Sequence, residues 1–165
     1  MNNRPKIELQ HTLFDKALEI LGWILVFAIW ILVITNYITL PDTIPIHYNG
    51  VGVADRFGGK ENILTLPIIA TILFIGLTLL NKFPHLFNYP TQITEDNALS
   101  QYTYATRLLR YLKFIILVIF GAITWQTISN AHRIGIWFLP TTVALMLIPL
   151  IYFLIKSLNS TKQWW

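Results

Sequence analysis

The chain has 165 residues, of which 55% are hydrophobic and 12% charged, and a net charge of +4; soluble domains carry about 25% charged residues. A single soluble core of this size cannot bury so much apolar surface, so the composition, with a mean hydropathy of +0.56, points to a bilayer, and the basic excess reads as membrane topology rather than nucleic-acid binding. The absence of cysteine excludes a disulfide framework, a thiolate metal site and a cysteine nucleophile.

One membrane domain over residues 1–165 fits this length. In Ile7–Glu19, Leu9, Leu13 and Ala17 recur four apart, with Glu8, Asp15, Lys16 and Glu19 mostly elsewhere. That pattern predicts a modest amphipathic helix lying in the interface and running into the first span. The first apolar run, Ile20–Ile38, is long enough to cross a hydrocarbon core of roughly 30 Å at about 1.5 Å per residue. No small-residue cleavage site follows it, so it reads as an uncleaved anchor.

The loop over residues 39–62 is the most distinctive segment. Pro41 and Pro45 favour extended backbone before them. Ile44, Ile46 and Tyr48 alternate as in a short strand, and Asn49-Gly50 is a tight-turn signal. Four of the eight glycines, Gly50, Gly52, Gly58 and Gly59, fall within ten residues, which suggests special backbone angles or a close approach of backbone to a partner. His47, Asn49, Asp55, Arg56 and Lys60 sit among them. The expectation is an ordered cap on one membrane face.

The second run, Ile63–Leu80, has Pro67 in its first turn, where proline is tolerated. An aromatic linker over residues 83–90 follows, in which His85 reads as an interfacial side chain. Thr94 is a helix-cap candidate before acidic Glu95 and Asp96. The helix it opens is expected to continue through Arg110 into the third span, residues 111–128, with Lys113 reaching to the interface. The fourth span, residues 134–155, holds Pro140 and Pro149, which are expected to kink it.

Lysine and arginine orient these spans. Nine of the twelve flank the N-terminal tail, the second connection and the C-terminal tail (Arg4, Lys6, Lys16, Lys82, Arg107, Arg110, Lys113, Lys156, Lys162), against Arg56, Lys60 and Arg133 on the other side. The positive-inside rule then places both termini in the cytoplasm and the 39–62 loop outside. Tyr37, Tyr48, Phe57, Trp125 and Trp137 form the outer aromatic belt. The deep part of the spans carries no ionisable residue, which argues against an ion-coupled transporter. The fold class is an all-α integral membrane protein with four transmembrane helices and an ordered extracytoplasmic loop between the first two.

The string P-x-x-I-P-x-H-Y-N-x-x-G-x-x-D-R-F-G-x-K, Pro41 to Lys60, resembles the signature of a bacterial membrane domain of unknown function. That domain forms the N-terminal part of Sdp-type immunity proteins, which protect a cell from its own secreted killing peptide and continue with further spans. Its pattern positions fall here on Pro41, Pro45, His47, Asn49, Gly52, Asp55, Gly58 and Lys60. The resemblance implies a protein of the bacterial cytoplasmic membrane that gives immunity or self-protection against a secreted peptide.

The residues themselves leave alternatives open. His47 and Asp55 are a base and its orienter, two metal ligands to which Asp42, Glu61 and His132 would add, or hydrogen-bonding groups that hold the loop; zinc needs three or four convergent ligands. Arg56 and Lys60 on glycine-rich backbone suit a phosphate or lipid headgroup, or simply anchor positive charge at the interface. No serine–histidine–acid set, Walker loop or dinucleotide fingerprint occurs, so any enzyme would have to use this loop as its site, and no cofactor is assigned. Partners are the bilayer, a peptide or lipid-headgroup ligand, or a larger membrane protein for which this chain is an accessory subunit; nucleic acid is not among them.

Overall fold

A computed structural model describes residues 4–129 and 131–160. Lys162, one of the orienting basic residues, and Asn130, in the third connection, lie outside that range. The helices are α1 (Leu13–Asn36), α2 (Thr65–Leu80), α3 (Glu95–Ile128) and α4 (Phe138–Ser160). Between α1 and α2 lie strands β1 (Thr43–Tyr48) and β2 (Ala54–Gly59), followed by a 3-10 turn, Lys60–Leu64. Four helices are long and apolar enough to cross a membrane, the second including that turn. The chain is a multi-pass membrane protein, mostly helical.

Several expected boundaries move, each for a local reason. The helix expected over Ile7–Glu19 begins only at Leu13. Thr12 caps it: its side chain accepts from the Asp15 N–H, and Asp15 accepts from the Thr12 N–H at 2.9 Å, a reciprocal box that ends a helix. Residues 4–12 instead run as a strap over the bundle. Arg4 donates to the carbonyls of Phe87 (2.6 Å) and His85 (3.2 Å), and the Tyr102 hydroxyl donates to the Pro5 carbonyl (3.0 Å). The segment from Thr94 does continue into the third span as one 34-residue helix with a Thr94–Asn97 capping box. Pro140 falls in the first turn of α4, so Pro149 is its interior proline.

The central helix is α3, which packs against α1, α2 and α4, while α4 packs mainly along α3. Gly22 lets α1 approach the Phe74 ring of α2, where any Cβ would collide. Trp23 stands edge-on to the same ring at 5.0 Å, and Trp30 donates to Thr71 at 2.9 Å. Val26, Ala70, Phe74 and Leu117 form the middle of the core; Val33, Leu40, Ile44 and Ile63 form a second cluster beneath the hairpin. The outer faces stay apolar and open. Ile72, Ile148, Ile151 and Ile155 are each more than half exposed, as helices surrounded by lipid require.

The purely α-helical class needs correction, because β1 and β2 form an antiparallel hairpin. The expected alternation within β1 also fails. Ile44 and Pro45 are both buried, whereas Ile46 is exposed. Register shifts between Pro45 and His47 and between His47 and Tyr48 are bulges that re-aim side chains.

Two clusters of polar groups at opposite ends

At the hairpin end, the turn residues explain the geometry. The Gly52 N–H donates to the Asn49 carbonyl (2.8 Å) and the Asn49 N–H to the Val53 carbonyl (2.9 Å). Asn49 Oδ1 also accepts from the N–H groups of Val51 and Val53. The loop therefore has three residues with a left-handed glycine last, Gly52 at φ 74°. It is not the two-residue Asn-Gly turn that the sequence signals. Gly52 also meets Gly135 (φ 92°), and a Cβ on Gly52 would strike the Gly135 backbone. The α3–α4 connection is bonded to the hairpin here: the Ala54 N–H to the His132 carbonyl (2.9 Å), the Ile134 N–H to the Gly52 carbonyl (2.8 Å) and the Tyr48 hydroxyl to the Ala131 carbonyl (3.1 Å). Partial burial pushes the Tyr48 phenol pKa up.

The bulge at Asp55 brings its carboxylate to His47. The ring Nδ1–H donates to Oδ1 at 2.5 Å, with both side chains more than 40% exposed. That bond, with help from Arg56, holds the Asp55 pKa below the usual carboxylate range. The Arg56 side chain is exposed and makes no hydrogen bond or ion pair among the described residues. Lys60 is drawn elsewhere: its ammonium meets Asp42 Oδ1 at 3.2 Å and its N–H donates to the Asp42 carbonyl at 3.1 Å. It belongs to the Thr43–Gly59 end of the ladder, about 13 Å along the strand from His47. Gly58 leaves room for Ile46 and Asn62, and Asn62 donates to the Gly59 carbonyl. Pro45 is buried opposite Phe57, while Pro41 is exposed. His132 packs its ring on Phe57 at 5.6 Å. Among the described residues, no three His, Cys, Asp or Glu side chains gather as a metal site.

Beneath the hairpin lies a cavity of about 450 Å³. Its walls are the β1 residues Ile44, Pro45 and Ile46, the start of α2, Ile123 of α3, and Phe138 and Leu139 of α4. His47, Tyr48, Asn49, Asn62 and Thr127 supply its polar points. An apolar enclosure with a few polar groups is the usual form of a small-ligand or peptide-anchor site.

The terminal end holds what the sequence reading missed. Lys113, expected at the interface, is 1% exposed. Its ammonium donates to both Glu19 oxygens (2.7 and 2.6 Å) and to Thr78 Oγ1 (2.7 Å), and lies 4.7 Å above the Phe74 ring centre. Asp15, 3% exposed, pairs with Arg107 (3.5 Å) and Arg110 (3.6 Å); Arg110 also meets Glu19 at 3.3 Å. Counted from the hairpin ends of their helices, Glu19 and Lys113 stand about 26 and 22 Å away, inside a layer of roughly 30 Å. Both therefore lie near the terminal edge of that layer rather than in its deep part. The available signal was two matched stripes: Asp15 and Glu19 four apart on α1, and Arg107, Arg110 and Lys113 three apart on α3.

Residues 24–71 match the family described as "Domain of unknown function (DUF1648)". The match spans the second half of α1, the hairpin and the start of α2. An uncharacterized protein of the archaeon Archaeoglobus fulgidus is similar, 36% identical over 83 residues; the alignment covers 46% of this chain and 45% of that one. The chain thus spans less than half the length of that relative. No solved structure matches.

Proposed function

We propose that the protein binds the apolar anchor of a ligand in the cavity beneath the hairpin, from the extracytoplasmic side of a cytoplasmic membrane, with both termini inside. The observation that carries this reading is the 450 Å³ cavity, walled by the hairpin and three helices. A hairpin needed only as a linker would have no reason to stand over a space of that size. The ligand class is a hydrophobic secreted peptide, and the role is self-protection against it. The resemblance of the Pro41–Lys60 signature to that of Sdp-type immunity proteins supports the peptide over other apolar molecules. In this reading the exposed His47–Asp55 pair and Arg56 sit at the rim and orient polar groups of the peptide. The hairpin, held at its turn by the α3–α4 connection, is the ordered extracytoplasmic element.

A second reading draws on the His47–Asp55 bond. A histidine oriented by a carboxylate is the arrangement of a general base, and with Arg56 nearby it suits work on a phosphorylated headgroup. The separation of Lys60 from that pair weighs against it.

A photo-crosslinking amino acid at Ile46, which lines the cavity, separates the two in living cells. The first reading expects a peptide adduct that disappears in Thr127→Trp, where the cavity is filled, and loss of protection against that peptide in the same variant. An adduct with a phosphorylated lipid favours the second reading. Full protection in a correctly inserted Thr127→Trp variant overturns the first.

A further inference from the structure

At the terminal end, a cavity of about 240 Å³ opens between the beginning of α1, the end of α2 and α3. Lys16, Lys82, Arg110 and His11 line it, with Thr78, Asn81 and the carboxylates of Asp15 and Glu19. Both carboxylates are already engaged, Asp15 by Arg107 and Arg110 and Glu19 by Lys113 and Arg110. The ammonium groups of Lys16 and Lys82 make no hydrogen bond or ion pair among the described residues. With Arg107 and Lys113, which pair with those carboxylates from outside the lining, five cations stand against two anions, a surplus of three positive charges with His11 neutral. Such a surplus at a partly dry site attracts an anion more strongly than it would in water.

A second observation narrows the anion. Asn81, 7% exposed, donates from Nδ2 to the Thr106 carbonyl at 3.3 Å, while its buried Oδ1 has no partner. A buried acceptor of this kind calls for a donor. The height is that of a lipid headgroup: Lys16 lies in the first turn of α1 and Lys82 just beyond α2. Ile20 and Leu79, each about a turn deeper, are exposed apolar side chains against which acyl chains can lie.

We propose that this cavity binds the phosphate of an anionic phospholipid whose headgroup also carries a free hydroxyl. Lys16, Lys82 and Arg110 take the phosphate, and the hydroxyl donates to Asn81 Oδ1. Basic pockets between spanning helices are a known way of holding such headgroups. The site is separate from the hairpin cavity, lies at the opposite end of the bundle and does not depend on the function proposed for that cavity.

The test uses the full chain in mixed micelles of phosphatidylglycerol and phosphatidylcholine, with retained lipid measured by native mass spectrometry. Wild type is expected to retain phosphatidylglycerol about tenfold over phosphatidylcholine. Lys16→Gln with Lys82→Gln is expected to abolish that preference. Lys6→Gln with Lys156→Gln removes the same charge from the same end, outside the cavity, and is expected to leave it intact. Asn81→Leu is expected to erase discrimination between phosphatidylglycerol and phosphatidic acid, whose headgroup lacks the hydroxyl. Equal retention of both lipids by wild type, or an unchanged preference after the Lys16 and Lys82 replacements, overturns the proposal. Competition separates the sources of phosphate: a headgroup site keeps its lipid in excess inorganic phosphate, whereas release of the lipid overturns the lipid assignment and leaves a free-phosphate site.

Discussion

Lys113 draws three helices together, taking Glu19 from α1 and Thr78 and Phe74 from α2 onto α3. Removing one member of a buried ion pair strands the other charge and costs about 3–5 kcal/mol, whereas replacing both by apolar or neutral groups is often nearly neutral. Lys113→Ala is therefore expected to destabilise the bundle by about 3–5 kcal/mol, and Lys113→Met with Glu19→Gln to recover most of that loss. Reversible unfolding in bicelles measures both; a single variant as stable as wild type would show that Glu19 is not confined by the pair. His11 offers a pH-dependent contact. Its Nδ1 accepts from Arg110 at 3.0 Å. Burial first, then Arg110, lower its pKa, while Asp15 and Glu19 act in the opposite sense and Lys16 reinforces the lowering. The folded state thus favours the neutral ring. Its contribution is complete above the ordinary value of 6.5 and is lost as pH falls through the lowered one. Acidification from pH 7.5 to 5 is expected to speed hydrogen exchange in residues 6–12, after correction for the intrinsic rate, and His11→Ala to remove that pH response.

The hairpin shows how an element is set by its neighbour. Its turn lies against the α3–α4 connection through Gly52 and Gly135, where a Cβ on Gly52 would strike the Gly135 backbone. Gly52→Ala must bear a left-handed backbone, at about 1–2 kcal/mol, and also displace the connection that accepts the Ala54 N–H. Gly50→Ala has open space around it and is expected to stay within about 0.5 kcal/mol of wild type. Amide exchange at Ala54 and Ile134 reads the difference: both are expected to open in Gly52→Ala and remain slow in Gly50→Ala. Glycine density pointed to this segment, but the Asn-Gly pair pointed to the wrong glycine. Which glycine takes the left-handed angle depends on a chain segment eighty residues away, and no local pattern carries that.

For the whole molecule, the basic asymmetry gives a prediction about sidedness. The chain has no cysteine, so single cysteines report cleanly. Gly50→Cys is expected to react with an impermeant maleimide added to intact cells, and Glu8→Cys only after the membrane is opened. Labelling of Glu8→Cys alone from outside would reverse the topology. The packing of α1 along the long α3 puts the stripes of Asp15 and Glu19 and of Arg107, Arg110 and Lys113 face to face. The terminal end of the bundle thereby carries a buried ionic cluster, whereas the ion pairs of the hairpin end lie at its surface above an apolar cavity.

The sequence by itself determined the number of spanning helices, the single long helix through the third span, the Thr94 cap and the place of the unusual loop. These depend on local hydropathy, helical period and capping chemistry, which a short window of residues contains. Only the tertiary structure decided that Ile46 faces out while Pro45 is buried, that Asp55 meets His47 while Lys60 turns to Asp42, and that Lys113 is buried. Bulge positions and ion-pair partners depend on which helix faces which. A lysine at the edge of an apolar run reads the same whether it snorkels to water or meets a glutamate ninety-four residues away.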